Sequence, residues 1–372
     1  MLRGERLDRP TYSFLRTITD EGNTAICSRG IHEIYECEVV QKTISTLGMP
    51  DSIAREPQLL KEVKHERIIE VWEAQWDPQY QELQAITFVT PYMAGGSIHT
   101  ALTEGERFSI QQVVQIACDV LVALDALHDQ HQILHRDVKP GNILLEPDRR
   151  RALLGDLGSA ARMGGEDWGA DAHAGSPLYR SPEAMSTGRV TARSDLYSLG
   201  VTMIEMLNGP FPYEYLDRDN IDQRLANGRR PLADRSYKPA PWVPKPLATF
   251  IRSLINVDPD KRPVDAATAL RTLRALRLID WRRTSGSDLV GKWLGYWPPQ
   301  ERRQRQRMIE IETTLVERGV NKGRIAAAAR WRTANGKWRN YARLNARLEA
   351  TPEALATYFN EVERAAQAAP TR

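Results

Sequence analysis

The chain has 372 residues, 41% hydrophobic and 27% charged, which is enough apolar material for buried cores and excludes wholesale disorder; at about 150 residues per domain it holds two or three domains. Its three cysteines, Cys27, Cys37 and Cys118, form no Cys-x-x-Cys pair, which excludes a disulfide scaffold and a cysteine zinc site and suits a reducing, cytoplasmic setting. No apolar run reaches the roughly 18 residues that cross a bilayer, and Met1–Asp8 has no apolar stretch of the secretory kind, so no membrane association is expected.

Along the chain, strands come first and helices later. Residues 32–44, with Ile34, Val39, Val40 and Ile44 among polar residues, read as extended chain, and Gln84–Thr90 is a β-rich run ended by Pro91. A Pro/Gly segment, Pro91–Gly96, follows as a hinge. From 109 to 131, Val113, Ile116, Ala117, Val120, Leu121, Leu124 and Leu127 recur at helical spacing. A second helix is expected over 193–208 and a third near 264–278, behind Arg262-Pro263.

The chemistry lies between 133 and 158. Ile133-Leu134 leads into the polar loop His135-Arg136-Asp137-Val138-Lys139-Pro140-Gly141-Asn142, followed by Ile143-Leu144-Leu145. Nineteen residues after Asp137, Asp156 opens Asp156-Leu157-Gly158. Two carboxylates and a carboxamide thus sit on loops at the ends of short strands. Phosphoryl transfer needs such a set: one carboxylate to orient the attacking hydroxyl, and an Asn with a second carboxylate to hold Mg²⁺ against a triphosphate.

At these residues the chain resembles the eukaryotic-type (Hanks-type) Ser/Thr protein kinases. The His-Arg-Asp-x-x-x-x-Asn loop matches fully, and Asp-Leu-Gly stands where Asp-Phe-Gly is usual. The resemblance extends over about 12–280. It implies an α+β, bilobal fold, with a β-rich N-lobe over about 12–91 and a helical C-lobe over about 95–283. It also implies ATP and Mg²⁺ as cofactors and protein Ser/Thr hydroxyls as substrates. By the resemblance, Asp137 is the catalytic base, Lys139 neutralises the transferring phosphate, and Asn142 and Asp156 hold the metal. Lys42 grips the α/β-phosphates with Glu56, fourteen residues later, as its ion-pair partner. Because Glu56 precedes Pro57, it is placed at the first turn of its helix. Thr90 would size the pocket behind adenine, Tyr92 and Met93 would bond the adenine edge through their backbone, and Leu144 would form the floor. Glu183, in Gly175-Ser176-Pro177-Leu178-Tyr179-Arg180-Ser181-Pro182-Glu183, would pair with Arg262. Lys139 and Ser176 are the Ser/Thr-type choices, which sets tyrosine kinases apart; small-molecule kinases generally lack the Ser181-Pro182-Glu183 and Arg262 pair.

Two segments depart from the family pattern. The phosphate-covering loop, Asp20–Cys27, keeps only Gly22 of three glycines, so nucleotide binding is expected to rely on Lys42, Asp156 and metal more than on backbone amides. Weak catalysis follows as the alternative: a nucleotide-binding pseudokinase scaffold whose tail does the work. Between Asp156 and Glu183 there is no Thr, and the only serines are Ser159, Ser176 and Ser181. Glu166, Asp167 or Asp171 is offered as a fixed negative charge for Arg136 in place of an activating phosphate. The lone histidines His99, His128, His131 and His173 have surface or core roles, His135 braces the loop, and Cys27 is a small apolar contact over the nucleotide.

The net charge of +3 hides an asymmetry. Residues 284–372 hold 16 Lys and Arg against 9 Asp and Glu, and four of the nine tryptophans. A joint is expected at the polar segment 283–288, with a basic, all-α domain over 288–372. Its helices are read over 301–318, 323–334 and 337–349 and after Thr351-Pro352-Glu353. They are expected either to pack as core or to dock an acidic protein or nucleic acid, with Arg330, Arg332, Lys337, Arg339, Arg343 and Arg347 around Trp331 and Trp338. The oligomeric state is not specified by the sequence.

Overall fold

The computed structural model describes residues 11–19, 25–47, 56–77, 82, 84–164, 176–297, 307–334 and 336–368. The loop holding Gly22, and the acidic residues Glu166, Asp167 and Asp171, lie outside them.

The N-terminal lobe is an antiparallel sheet of five strands: β1 (Tyr12–Thr19), β2 (Ala25–His32), β3 (Cys37–Ser45), β4 (Glu73–Trp76) and β5 (Ala85–Pro91), in the order β1-β2-β3-β5-β4. Helix α1 (Glu56–Glu62) packs with it, burying Leu59 and Leu60. Its described part opens with Glu56 and Pro57, both buried.

The C-terminal lobe is helical. Short α2 (Ile98–Thr103) is capped by the Ser97 side chain. Helix α3 (Ile110–Asp125) starts with a capping box, Ser109 and Gln112 each bonding the other's backbone N–H. Together with its continuation to Gln130, α3 is long and apolar enough to cross a membrane. Val113, Ile116, Ala117, Val120, Leu121, Leu124 and Leu127 are instead buried in the lobe's core. Strands β6 (Ile133–Leu134), β7 (Ile143–Leu145), β8 (Ala152–Leu154) and β9 (Ala161–Arg162) frame the polar loops. Beyond them come α4 (Pro182–Ser186), α5 (Ala192–Asn208), α6 (Arg218–Ala226), α7 (Lys245–Leu254) and α8 (Ala266–Arg274).

The C-terminal region corrects the all-α expectation. Strands β10 (Asp280–Gly286), β11 (Gly291–Trp297), β12 (Arg307–Leu315), β13 (Ile325–Thr333), β14 (Arg339–Asn340) and β15 (Ala346–Leu348) form one antiparallel sheet, and among the described residues only the last of the expected α-helices is found, as α9 (Pro352–Ala368). Along β12 the buried residues are Ile309, Ile311 and Thr313, a period of two. Met308, Ile311, Leu315 and Val316 also fit a period near 3.6, which is why 301–318 reads as helix. The alanine-rich run 325–329 favours helix on its own. Paired against β12 from Arg307↔Thr333 to Leu315↔Ile325, it turns Ala327 and Ala329 into the core with Leu355, Tyr358 and Phe359, where only small side chains leave room. The expected joint at 283–288 is the turn of the β10–β11 hairpin. Gly286 sits there at φ +83°, and a Cβ would lie 2.2 Å from the Val290 carbonyl oxygen, so no other residue fits. The sheet therefore begins at Asp280, upstream of the expected boundary.

This sheet-and-helix module is welded to the C-lobe. Its buried Trp281 and Trp293 hold the edge of Phe359 between them, at 5.2 and 5.4 Å with near-perpendicular rings. Gly295 leaves the space Trp281 occupies, since a Cβ there would meet the indole at 2.5 Å. The Asp280 carboxylate accepts the Gln111 N–H at 2.8 Å, satisfying one of the open donors at the start of α3. Arg282 reaches Glu106 at 3.3 Å, and one apolar core runs through both lobes and the module.

Trp281 also donates its indole N–H to Glu363 at 2.9 Å. Burial pushes Glu363 up to about 7 against that hydrogen bond. A carboxyl raised in the folded state stabilises fully below its ordinary value of 4.5 and loses that contribution as pH climbs through about 7. Glu363→Gln is therefore expected to stabilise the protein at pH 8 by on the order of 2 kcal/mol and to do little at pH 4.5. Urea denaturation of both proteins at the two pH values checks this; an equal effect at both would be a packing effect alone.

Candidate active site

The catalytic loop is built by hydrogen bonds to its backbone. Buried Asp195, in the first turn of α5, accepts the N–H groups of His135 at 2.9 Å and Arg136 at 2.8 Å, and His128 at 2.8 Å. Burial alone would raise the Asp195 carboxyl; His128 and the loop N–H groups outweigh it and hold it below the usual range. His135 is fully buried. It accepts the Asp137 N–H on Nδ1 at 3.3 Å, so its proton sits on Nε2, facing the Gly155 carbonyl at 3.0 Å. Two non-glycine residues, Arg136 (φ +65°) and Asp156 (φ +62°), are held in the left-handed region. Such strain costs about 1–3 kcal/mol each and persists where surrounding bonds fix the backbone.

Around Asp137 the expected residues meet. Its Oδ2 lies 2.8 Å from Lys139 Nζ and accepts from Asn142 Nδ2 at 3.0 Å. Its Oδ1 accepts the Ser176 N–H at 2.8 Å, and Lys139 bonds the Ser176 hydroxyl at 2.9 Å. One carboxylate thus joins the loop to the far end of the activation segment.

Across the cleft, Lys42 of β3 donates to both Glu56 oxygens at 2.9 Å and to Asp156 at 3.1 Å. Burial works against the lysine's charge, but Asp156 and then Glu56 outweigh it and raise its pKa. Asp156 is half-buried; its partial desolvation would raise its carboxyl, but Lys42, Lys139 and the Gly158 N–H outweigh this and hold it far below the ordinary carboxylate range. Burial pushes Glu56 up to about 7 against the pull of Lys42. Gly158 lets these groups close: a Cβ there would fall 3.1 Å from Asp156 and 3.3 Å from Glu56. Arg162 of β9 forms an ion pair with Glu62, tying the start of the activation segment to α1.

A hard cation takes oxygen ligands and, when small, keeps several for phosphate and water. Asn142 spends its amide nitrogen on the Asp137 carbonyl and carboxylate, so its carbonyl oxygen remains as a donor. Asp156 offers a second oxygen site. Two such ligands fit a metal shared with a triphosphate, and among the described residues no group of three metal-binding side chains exists.

The hinge refines one expectation. Tyr92 donates its N–H to the Glu38 carbonyl at 3.1 Å and carries Arg29 over its ring at 4.2 Å, so that N–H is spent. The Met93 N–H has no backbone partner among the described residues. Thr90, next to last in β5, lies opposite Val40, and half-buried Leu144 packs beneath Gly155. Gly95 must be glycine, since a Cβ would lie 2.2 Å from the Glu146 carbonyl oxygen.

Below the cleft, Arg262 and Glu183 form the expected pair, with two bonds of 2.7 Å. The resemblance marks Asp195 only as a matching position on the helix after the activation segment, without its bonds to the loop, and gives no role to Glu205, a buried carboxylate on α5 bonded by Tyr179 and Tyr213 at 2.5 Å. A single acidic residue among apolar ones, three or four positions apart on a helix, was the one available signal.

The family model that describes the protein kinase domain matches residues 13–272. The chain is 32% identical to serine/threonine-protein kinase ULK3 of Xenopus laevis over 63% of this chain and 48% of that protein. It is 28% identical to serine/threonine-protein kinase 32C of Homo sapiens over 72% of this chain and 52% of that one. With the probable serine/threonine-protein kinase nek2 of Dictyostelium discoideum it shares 29% over 57% of this chain and 49% of that protein. The chain spans about half the length of these curated relatives. Motif order, cleft geometry and the family match agree, and the chain belongs to the protein kinase domain family.

Proposed function

We propose that the protein is an ATP-dependent serine/threonine kinase that transfers the γ-phosphate to protein hydroxyls. The observation that carries this reading is the convergence of Asn142, Lys139 and Ser176 on Asp137, facing the Lys42–Glu56–Asp156 cluster. Asp137 is the group that orients the substrate hydroxyl and takes its proton. Lys139, 2.8 Å from it, offsets charge gathering on the transferring group. Lys42, steadied by Glu56, grips the α- and β-phosphates. Asn142 and Asp156 are the residues that would hold Mg²⁺, which supplies charge neutralisation between the phosphates. Thr90, Met93 and Leu144 bound the adenine pocket, and Gly22 belongs to the loop over the phosphates. The Ser/Thr preference is supported by the Lys139–Ser176 bond and by the titles of the relatives. The three cysteines are all free thiols, which suits action in a reducing, cytoplasmic compartment. The basic C-terminal module serves docking or regulation.

The test is incubation with γ-labelled ATP, Mg²⁺ and a general protein substrate, comparing wild type with Lys42→Met. Wild type is expected to label Ser and Thr, and the variant to label them about 100-fold less or lower. Bound ATP with no label from wild type would mean a nucleotide-binding scaffold.

A further inference from the structure

The cleft leaves the charge of the C-terminal module without a purpose. Residues 318–348 hold nine Lys and Arg and no Asp or Glu. On β13, Ile325, Ala327 and Ala329 are buried, so the alternate residues Ala326, Ala328, Arg330 and Arg332 take the opposite face. Arg347 of β15 stands opposite Ala326, and exposed Arg324 precedes the strand. From Arg324 to Arg332 these cations extend over about 27 Å at about 3.4 Å per residue. Arg330 is paired with Glu310 at 2.6 Å. Arg324, Arg332 and Arg347 have no carboxylate partner among the described residues.

Half-buried Trp338 carries both Arg330 and Arg332 over its ring, at 5.0 and 4.9 Å. The indole thereby holds two guanidinium groups beside it on the same face. In the strand order, β13 and β14 lie at the end opposite β10, which packs on the kinase lobe, so the lobe does not cover this surface.

A row of cations spread along a strand suits an extended polyanion and not one phosphate or headgroup, which cations would surround. Guanidinium groups gathered on an indole suit bases, which stack on both. A bilayer would need an apolar wedge; Leu315 and Val320 at the β12–β13 tip are the exposed apolar residues of this hairpin, too few to anchor. We propose that this face binds an extended single-stranded nucleic acid, with phosphates on Arg324, Arg332 and Arg347 and a base against the Arg330–Arg332–Trp338 stack. The inference is independent of phosphate transfer in the cleft.

The experiment is fluorescence anisotropy of a labelled oligouridylate with the full chain across a salt series. Wild type is expected to bind with a steep negative dependence on salt. Arg324→Gln/Arg332→Gln/Arg347→Gln is expected to weaken binding at least ten-fold at low salt. It should also flatten the slope of log K against log salt by about 2, at about 0.7 per lost strand contact. Trp338→Leu, which keeps every charge, is expected to weaken binding about five-fold or more. Retained ATP binding shows that the variants are folded. Absence of wild-type binding at low salt, an unchanged slope in the triple variant, or tighter binding to phosphatidylserine vesicles or polyglutamate would overturn the proposal.

Discussion

Replacing Asp137 with Asn is expected to lower kcat for phosphate transfer by about 10²–10⁴-fold and to leave ATP affinity nearly unchanged. The substitution keeps the size of the side chain. Its remaining oxygen can still accept the Ser176 N–H that Asp137 holds at 2.8 Å, so the loop stays tied to the activation segment. The negative charge beside Lys139 disappears, and with it the lone pair that would take the hydroxyl proton. ATP contacts arise on the other side, from Lys42 and Asp156, and are untouched. Steady-state kinetics with parallel nucleotide titration separates the two effects. A variant with wild-type kcat would remove Asp137 from the chemistry; one that loses ATP binding equally would make it a structural residue.

The second large effect is on stability. Arg262→Met is expected to destabilise the C-lobe by about 3–5 kcal/mol, because it leaves the Glu183 carboxylate buried without its cation. Arg262 donates to both Glu183 oxygens at 2.7 Å, and also to the carbonyls of Asn256 at 2.7 Å and Arg193 at 3.0 Å. Burial by itself would raise the Glu183 carboxyl; the Arg262 bonds outweigh it and lower its pKa. That contribution is present above the ordinary carboxylate value and is lost as pH falls through the folded value. Removing both charges, in Arg262→Met/Glu183→Leu, is expected to recover part of the loss, since no ion is then stranded. Urea midpoints of wild type, single and double variants measure this. A single variant as stable as wild type would mean that water reaches Glu183.

Much of the site was legible because its residues are close in sequence and chemically specific. Asp137, Lys139 and Asn142 fall within one loop, and the structure brings them together. Lys42 and Glu56, fourteen residues apart, form the ion pair that the resemblance implied. Asp195 was harder, because its work is to accept two backbone N–H groups from a loop about sixty residues away, and no local pattern encodes that. The spent N–H of Tyr92 was likewise invisible, since its partner is a carbonyl on another strand. The C-terminal module misled for a physical reason. Met308, Ile311 and Leu315 satisfy a helical period, while the alternation of Ile309, Ile311 and Thr313 between Glu310 and Glu312 satisfies a strand. Pairing with β11 and β13 decided between them. The alanines of β13 compounded the error: Ala327 and Ala329 are buried in the core, yet alone they look like helix formers.

In the proposed function, Asn142, Asp156 and Lys42 meet a single triphosphate. A crystal structure with magnesium and a non-hydrolysable ATP analogue tests it most directly. The account predicts one metal on the Asn142 carbonyl oxygen and the Asp156 carboxylate, with Lys42 on the α- and β-phosphates. A nucleotide-free cleft at saturating analogue, or a metal held by other side chains, would contradict it.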